Sequence, residues 1–75
     1  MREFNLEEAK AGAEICDRSG NDIRIICFDA KGINPIIGLY TEVDDEDGSE
    51  YEEVSMYRIN GEYDNVSKFD LMMKD

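Results

Sequence analysis

The chain contains no histidine, so the side chain that most readily exchanges a proton near neutral pH is missing. It has no tryptophan and only two cysteines, Cys16 and Cys27. Two cysteines do not make a disulfide framework. Without histidine they also leave the usual zinc tetrahedron short of ligands. Neither thiol has a neighbouring base or positive surroundings to ionise it for nucleophilic attack. Both lie in stretches that read as strands, where cysteine packs as a small apolar residue. Reduced thiols and a cytoplasmic setting are therefore expected.

Long apolar runs are absent as well. The longest is Ile25-Ile26-Cys27-Phe28, far short of a membrane span. The first eight residues, from Met1 to Glu8, carry acids where a signal peptide needs an apolar stretch. A soluble, unexported protein with no membrane partner is expected. Glycines 20, 32, 38, 48 and 61 are scattered rather than gathered into a phosphate-cradling loop. Serines 19, 49, 55 and 67 sit in no nucleophile elbow. No catalytic, cofactor-binding or metal-ligating residue is assigned, and a non-enzymatic protein is expected.

Positive charge is scarce. Eight Lys and Arg face nineteen Asp and Glu, for a formal net charge of −11. That exceeds the magnitude of about 2–8 usual for a small domain. Such a field repels phosphate, which disfavours direct nucleic-acid binding, and it repels anionic membranes. It favours basic partners and cations.

What is present suits one small domain spanning residues 1–75. Hydrophobic residues make up 41% of the chain, enough for a thin core. A domain of this size buries only roughly 60% of the surface its unfolded chain exposes, which leaves no walls for a deep cleft. Residues 1–12 read as a short helix. Asn5 is a candidate N-cap with Glu8 three residues on, Glu7 and Glu8 suit the positive end of the helix dipole, and Gly12 is a natural stop. Two turns of helix are marginal alone, so this one must dock.

Residues 13–73 read as strands and turns. Strands are expected at 13–16, 22–29, 36–43, 51–59 and 62–66, with 67–73 as a last strand or a helical turn. Turn residues separate them, Asn60-Gly61 being the strongest hairpin signal. The expected architecture is mostly β: a curled antiparallel meander of about five strands, with closure into a small open barrel left open. Hairpin pairing places Ile37 opposite Met56, Leu39 opposite Val54, Ile25 opposite Leu39 and Cys27 opposite Ile37. One face then collects Ile23, Ile25, Cys27, Ile37, Leu39, Val54 and Met56, taken as the core. The other face carries Ile26, Phe28, Ile36, Tyr40, Tyr51 and Tyr57 among polar residues. A sheet with two apolar faces must curl, be covered or meet a partner. The helix and the tail with Phe69, Leu71 and Met72 are the only internal covers.

Two features are candidates for function. Between Glu42 and Glu53, eight of twelve residues are acids. Set as a calcium loop with Gly48 at the turn, the stretch has Val43 and Val54 where the first and last ligands belong, so it does not fit. It reads either as a solvated hairpin or as a carboxylate array, with Asp44, Asp45 and Asp47 at its tip, that could occupy a basic groove built for phosphates. The tyrosines Tyr40, Tyr51 and Tyr57 fall on one face. They read either as a second half-core or as a contact surface for another protein or another copy.

The run from Phe4 to Gly12, followed by Arg18-Ser19-Gly20, by Arg24 to Gly32 and by Pro35-Ile36, resembles a group of short uncharacterised proteins from gut-bacterial and bacteriophage genomes. The tail Ser67-Lys68-Phe69-Asp70-Leu71-Met72 fits the same group. The resemblance covers nearly the whole chain and implies a mobile-element context. It brings no activity, and the acidic loop is longer here than in the group. Three functions are expected, in order: a protein-interaction module, self-associating or with a host partner; an acidic decoy for a basic nucleic-acid-binding site; and an enzyme accessory protein.

Overall fold

The computed structural model describes residues 1–75. It is a six-stranded antiparallel sheet with one short helix. In chain order the elements are β1 (Arg2–Glu3), α1 (Leu6–Lys10), β2 (Ile15–Asp17), β3 (Asp22–Cys27), β4 (Ile36–Val43), β5 (Glu50–Tyr57), a 3₁₀ turn at Ser67–Phe69 and β6 (Leu71–Met73). The strand order is β1-β6-β2-β3-β4-β5. β2 to β5 form the expected meander. β6 then returns to the far side of β2, and β1 pairs with β6. The sheet is open, with β1 and β5 as its edges.

Local signals act as their chemistry requires at the N-terminus. Asn5 Oδ1 accepts from the Glu8 N–H at 3.0 Å, capping α1. Gly12, at φ +100°, follows the C-cap Ala11. Arg2 on β1 reaches Glu8 at 2.8 Å and Asp75 at 3.2 Å, tying strand, helix and C-terminus together.

The C-terminal third departs from expectation. Asn60-Gly61 does make a tight turn: Arg58 N–H donates to Glu62 O at 2.9 Å, and Gly61 N–H to Arg58 O at 2.8 Å. No strand follows at residues 62–66. The chain instead turns away from β5. Tyr63 N–H donates to Asp70 Oδ1 at 2.8 Å and Leu71 N–H to Gly61 O at 2.8 Å. The segment 67–73 holds both structures considered for it, a 3₁₀ turn and then a strand. β1 was not expected; two residues carry no periodicity to read.

The register of β4 with β5 is the expected one, with Ile37 opposite Met56 and Leu39 opposite Val54. Cys27 lies opposite Ile37, but Ile25 pairs with Gly38 and not with Leu39, because the ladder shifts between Ile25 and Cys27. This irregularity puts Ile23 and Ile25 on one face of the sheet and Cys27 on the other.

Of the expected core set, Ile23 and Ile25 therefore lie in the core, while Cys27, Ile37, Leu39, Val54 and Met56 stand on the opposite face. The buried apolar residues of the core are Ala9, Ile15, Ile23, Ile36, Tyr57, Leu71 and Met73, with Phe4, Leu6, Ile25, Phe28, Tyr40 and Tyr63 packed around them. Val54 and Met56, assigned to the core from periodicity, are 61% and 49% exposed. The reason is cover. The helix and the 58–70 segment sit on a single face, bringing Tyr63 against Tyr57, Phe69 against Tyr63, and Gly61 against Phe4. The Tyr57 and Tyr63 rings lie 5.7 Å apart and those of Tyr63 and Phe69 5.5 Å apart. Gly38 makes room for this layer. A Cβ there would sit 2.8 Å from Ile23 Cγ2 and 3.5 Å from the Tyr57 ring.

Candidate interaction surface

The covered face buries Tyr57 to 2% exposure and leaves Tyr40 half-buried, while Tyr51, further along β5, stays exposed. Three tyrosines that share one face thus occupy three environments. Tyr57 is part of the core and offers no surface to a partner, which corrects its assignment to a contact surface. Burial pushes its phenol above the usual tyrosine pKa, against a smaller opposing effect of its hydrogen bond with Ser55. Burial also raises Tyr40, with Glu42 and Glu53 adding to the effect.

Between these rings lies a cavity of about 110 Å³ lined by Asp17, Asn21, Tyr40, Glu42, Ser55, Tyr57, Tyr63 and Phe69. Small-molecule sites span roughly 300–1,000 Å³, so this space suits a few waters. Its buried carboxylate, Asp17, is already satisfied. It accepts from the Asn21 backbone N–H at 2.9 Å and from Asn21 Nδ2 at 3.1 Å, closing the β2–β3 turn.

The acidic hairpin is built largely from its own carboxylates. Asp44 Oδ1 accepts from the Glu46 N–H at 2.8 Å. Asp47 Oδ1 accepts from Ser49 N–H at 2.9 Å and Ser49 Oγ at 2.7 Å, and these bonds hold its pKa below the usual carboxylate value. Asp44 N–H to Ser49 O, at 2.8 Å, closes the loop. Of Asp44, Asp45 and Asp47, only Asp45 makes no side-chain hydrogen bond in the turn. Aspartate accepting from backbone two residues on is a turn-forming device, so Asp44 and Asp47 shape the loop as well as charging it. No three carboxylates or thiols in the chain converge closely enough to share a metal ion.

The internal covers leave the open face of β3, β4 and β5 bare. It carries Ile26 at 56% exposure, Val54 and Met56, with Cys27, Ile37 and Leu39 half-buried between them. At its hairpin end Arg24 bridges β4 to Glu52, at 2.8 Å. The face is thus apolar toward one end and charged toward the other. Periodicity identified Cys27, Ile37, Leu39, Val54 and Met56 as a set but assigned them to the interior, and it placed Ile26 with the tyrosines on the other face. The signal that marks them as surface is the shortage of covering residues.

The chain matches the family model of Haemophilus phage HP1 protein YO09 over residues 1–73. It belongs to this phage protein family. The match takes in every strand, the helix and the acidic hairpin, so the open face and the free edge of β5 lie within the family's span. No curated protein and no solved structure matches the chain. No helix is long and apolar enough to cross a membrane.

Proposed function

We propose that this phage-family protein is a non-enzymatic protein-interaction module, and that its contact surface is the open face of β3, β4 and β5. Its setting on this reading is the cytoplasm of a bacterial host, gut bacteria among them. The observation that carries the proposal is the exposure of Val54, Met56 and Ile26 on a face that neither the helix nor the 58–70 segment covers. Contiguous exposed apolar surface on a small domain marks an interaction site. The acidic rim at Glu50, Glu52 and the hairpin selects basic partners and excludes nucleic acid.

A pull-down from host lysate at low and moderate salt tests this, run with the native chain and with a Val54→Ser/Met56→Ser double variant. A partner retained by the native chain in moderate salt and lost by the variant is the expected result. A partner held equally by both, and released by salt, would overturn the proposal. Loss with Asp44, Asp45 and Asp47 changed to Asn would then transfer the function to the hairpin, as a decoy for a basic nucleic-acid site.

A further inference from the structure

The two edges of the sheet differ sharply. β1 is two residues long. β5 runs for eight residues, Glu50–Tyr57, paired with β4 throughout and with no break in register. Natural edge strands are blunted by shortness, proline, lysine or a bulge. β5 has none of these and carries only Glu50, Glu52 and Glu53 as deterrent charges.

The hydrogen-bond phase of β5 is fixed by the hairpin. Asp44 N–H donates to Ser49 O and Asp44 O accepts from Gly48 N–H, so Asp44 faces β5 as the bonded, bulged position that closes the hairpin. Along a continuous antiparallel ladder bonded pairs alternate with non-bonded ones. Tyr51, Glu53, Ser55 and Tyr57 therefore bond to β4, while Glu50, Glu52, Val54 and Met56 turn their N–H and C=O groups outward. These four residues are also the ones whose side chains stand on the open face, opposite Val43, Thr41, Leu39 and Ile37. Free backbone groups, exposed apolar side chains and acids, one of them unpaired, thus coincide on one strand. Glu50 has no ion-pair partner, while Glu52 is paired with Arg24 from β3 and keeps room for a second cation on its outer side.

We propose that β5 accepts an extended strand from a basic protein, antiparallel to it, in the manner of strand addition. Apolar residues of that strand lie beside Met56 and Val54, and Lys or Arg residues beside Glu52 and Glu50. The inference rests on the reading of the chain as an interaction module and specifies its partner and mode. Charge chooses the occupant. A second copy would bring another three glutamates and another net charge of −11 to the same ladder, whereas a basic segment neutralises them.

The test uses the full chain, isotope-labelled, and a cyclic β-hairpin peptide whose outer strand reads Val-Thr-Val-Thr-Lys-Thr-Lys. Amide shifts on titration should concentrate at Glu50, Glu52, Val54 and Met56, with slowed exchange of those four N–H groups. N-methylation of the peptide's outer-strand amides that face β5 should weaken binding by about tenfold or more, as should Lys→Glu changes in the peptide. Val54→Pro in the protein should do the same. Its lost N–H points outward, so the pairing with β4 is kept. If that variant does not fold, the N-methylated peptide on the unchanged chain asks the same question. No shifts at β5, or equal binding of the N-methylated peptide, would overturn strand addition. Binding insensitive to N-methylation but lost in Val54→Ser/Met56→Ser would overturn it while leaving the interaction-module reading intact. Concentration-dependent shifts of the β5 amides without peptide would give the edge to a second copy and overturn the choice of a basic partner.

Discussion

Single residues in this protein are worth what their face of the sheet makes them worth. Ile36 is fully buried, and Ile36→Ala should destabilise by about 2–5 kcal/mol through lost burial and the cavity left behind. Gly38→Ala should destabilise by about 1–3 kcal/mol, because its Cβ would press on Ile23. Val54→Thr keeps a β-branched side chain on the open face and should stay within about 0.5 kcal/mol of the native chain. Urea midpoints of the three variants, at unchanged slope, check which face is the core. Tyr57 supplies a second residue-level test. Its folded pKa is raised by burial. Its contribution to stability is therefore complete below the ordinary tyrosine value of about 10 and is lost as pH rises through the folded pKa. Unfolding followed by circular dichroism in alkali should coincide with the last phenolate absorbance to appear. Full phenolate absorbance in a chain that keeps its ellipticity would contradict this burial.

Elements are stabilised here by one another far more than by themselves. α1 has five residues, too few to persist alone. It is held by the Asn5 cap, by the Arg2–Glu8 pair and by burial of Ala9 and Leu6 against the sheet. Asn5→Ala should cost about 1 kcal/mol and should appear first as faster amide exchange at Glu8, whose N–H loses its acceptor. The β4–β5 hairpin is different in kind. It is the longest pairing in the sheet, and its loop is closed by Asp44 and Asp47 through bonds within the loop. β6 depends on both ends of the chain. It sits between β1 and β2, and Lys74 beyond it pairs with Asp22 at 2.9 Å.

At the scale of the molecule, shape and charge point the same way. The accessible surface is 5143 Å² for 8.6 kDa, above the roughly 4,700 Å² that size alone gives. The excess accords with an open sheet that leaves a face and an edge bare. The charge of −11 repels itself most strongly around the hairpin. Stability should therefore rise modestly from low to moderate salt, measured as a urea midpoint, because screening relieves that repulsion. A flat or falling midpoint would show that the favourable pairs, such as Arg24–Glu52 and Arg2–Glu8, already balance it.

The sequence by itself determined the class of the fold, the capped helix, the β4–β5 register and the excess of apolar side chains over residues able to cover them. These are local matters, set by side-chain period, turn chemistry and capping. Only the tertiary structure decided which face is the core. Alternation marks two sets of side chains and is symmetric between them. The symmetry was broken by the shift between Ile25 and Cys27, by the room left at Gly38, and by the helix and the 58–70 segment docking on the Tyr57 side. The position of β6 beside β2 was equally invisible, because it depends on a pairing between residues far apart in the chain. That pairing places β6 at the other side of the sheet and leaves β5 as a free edge of full length.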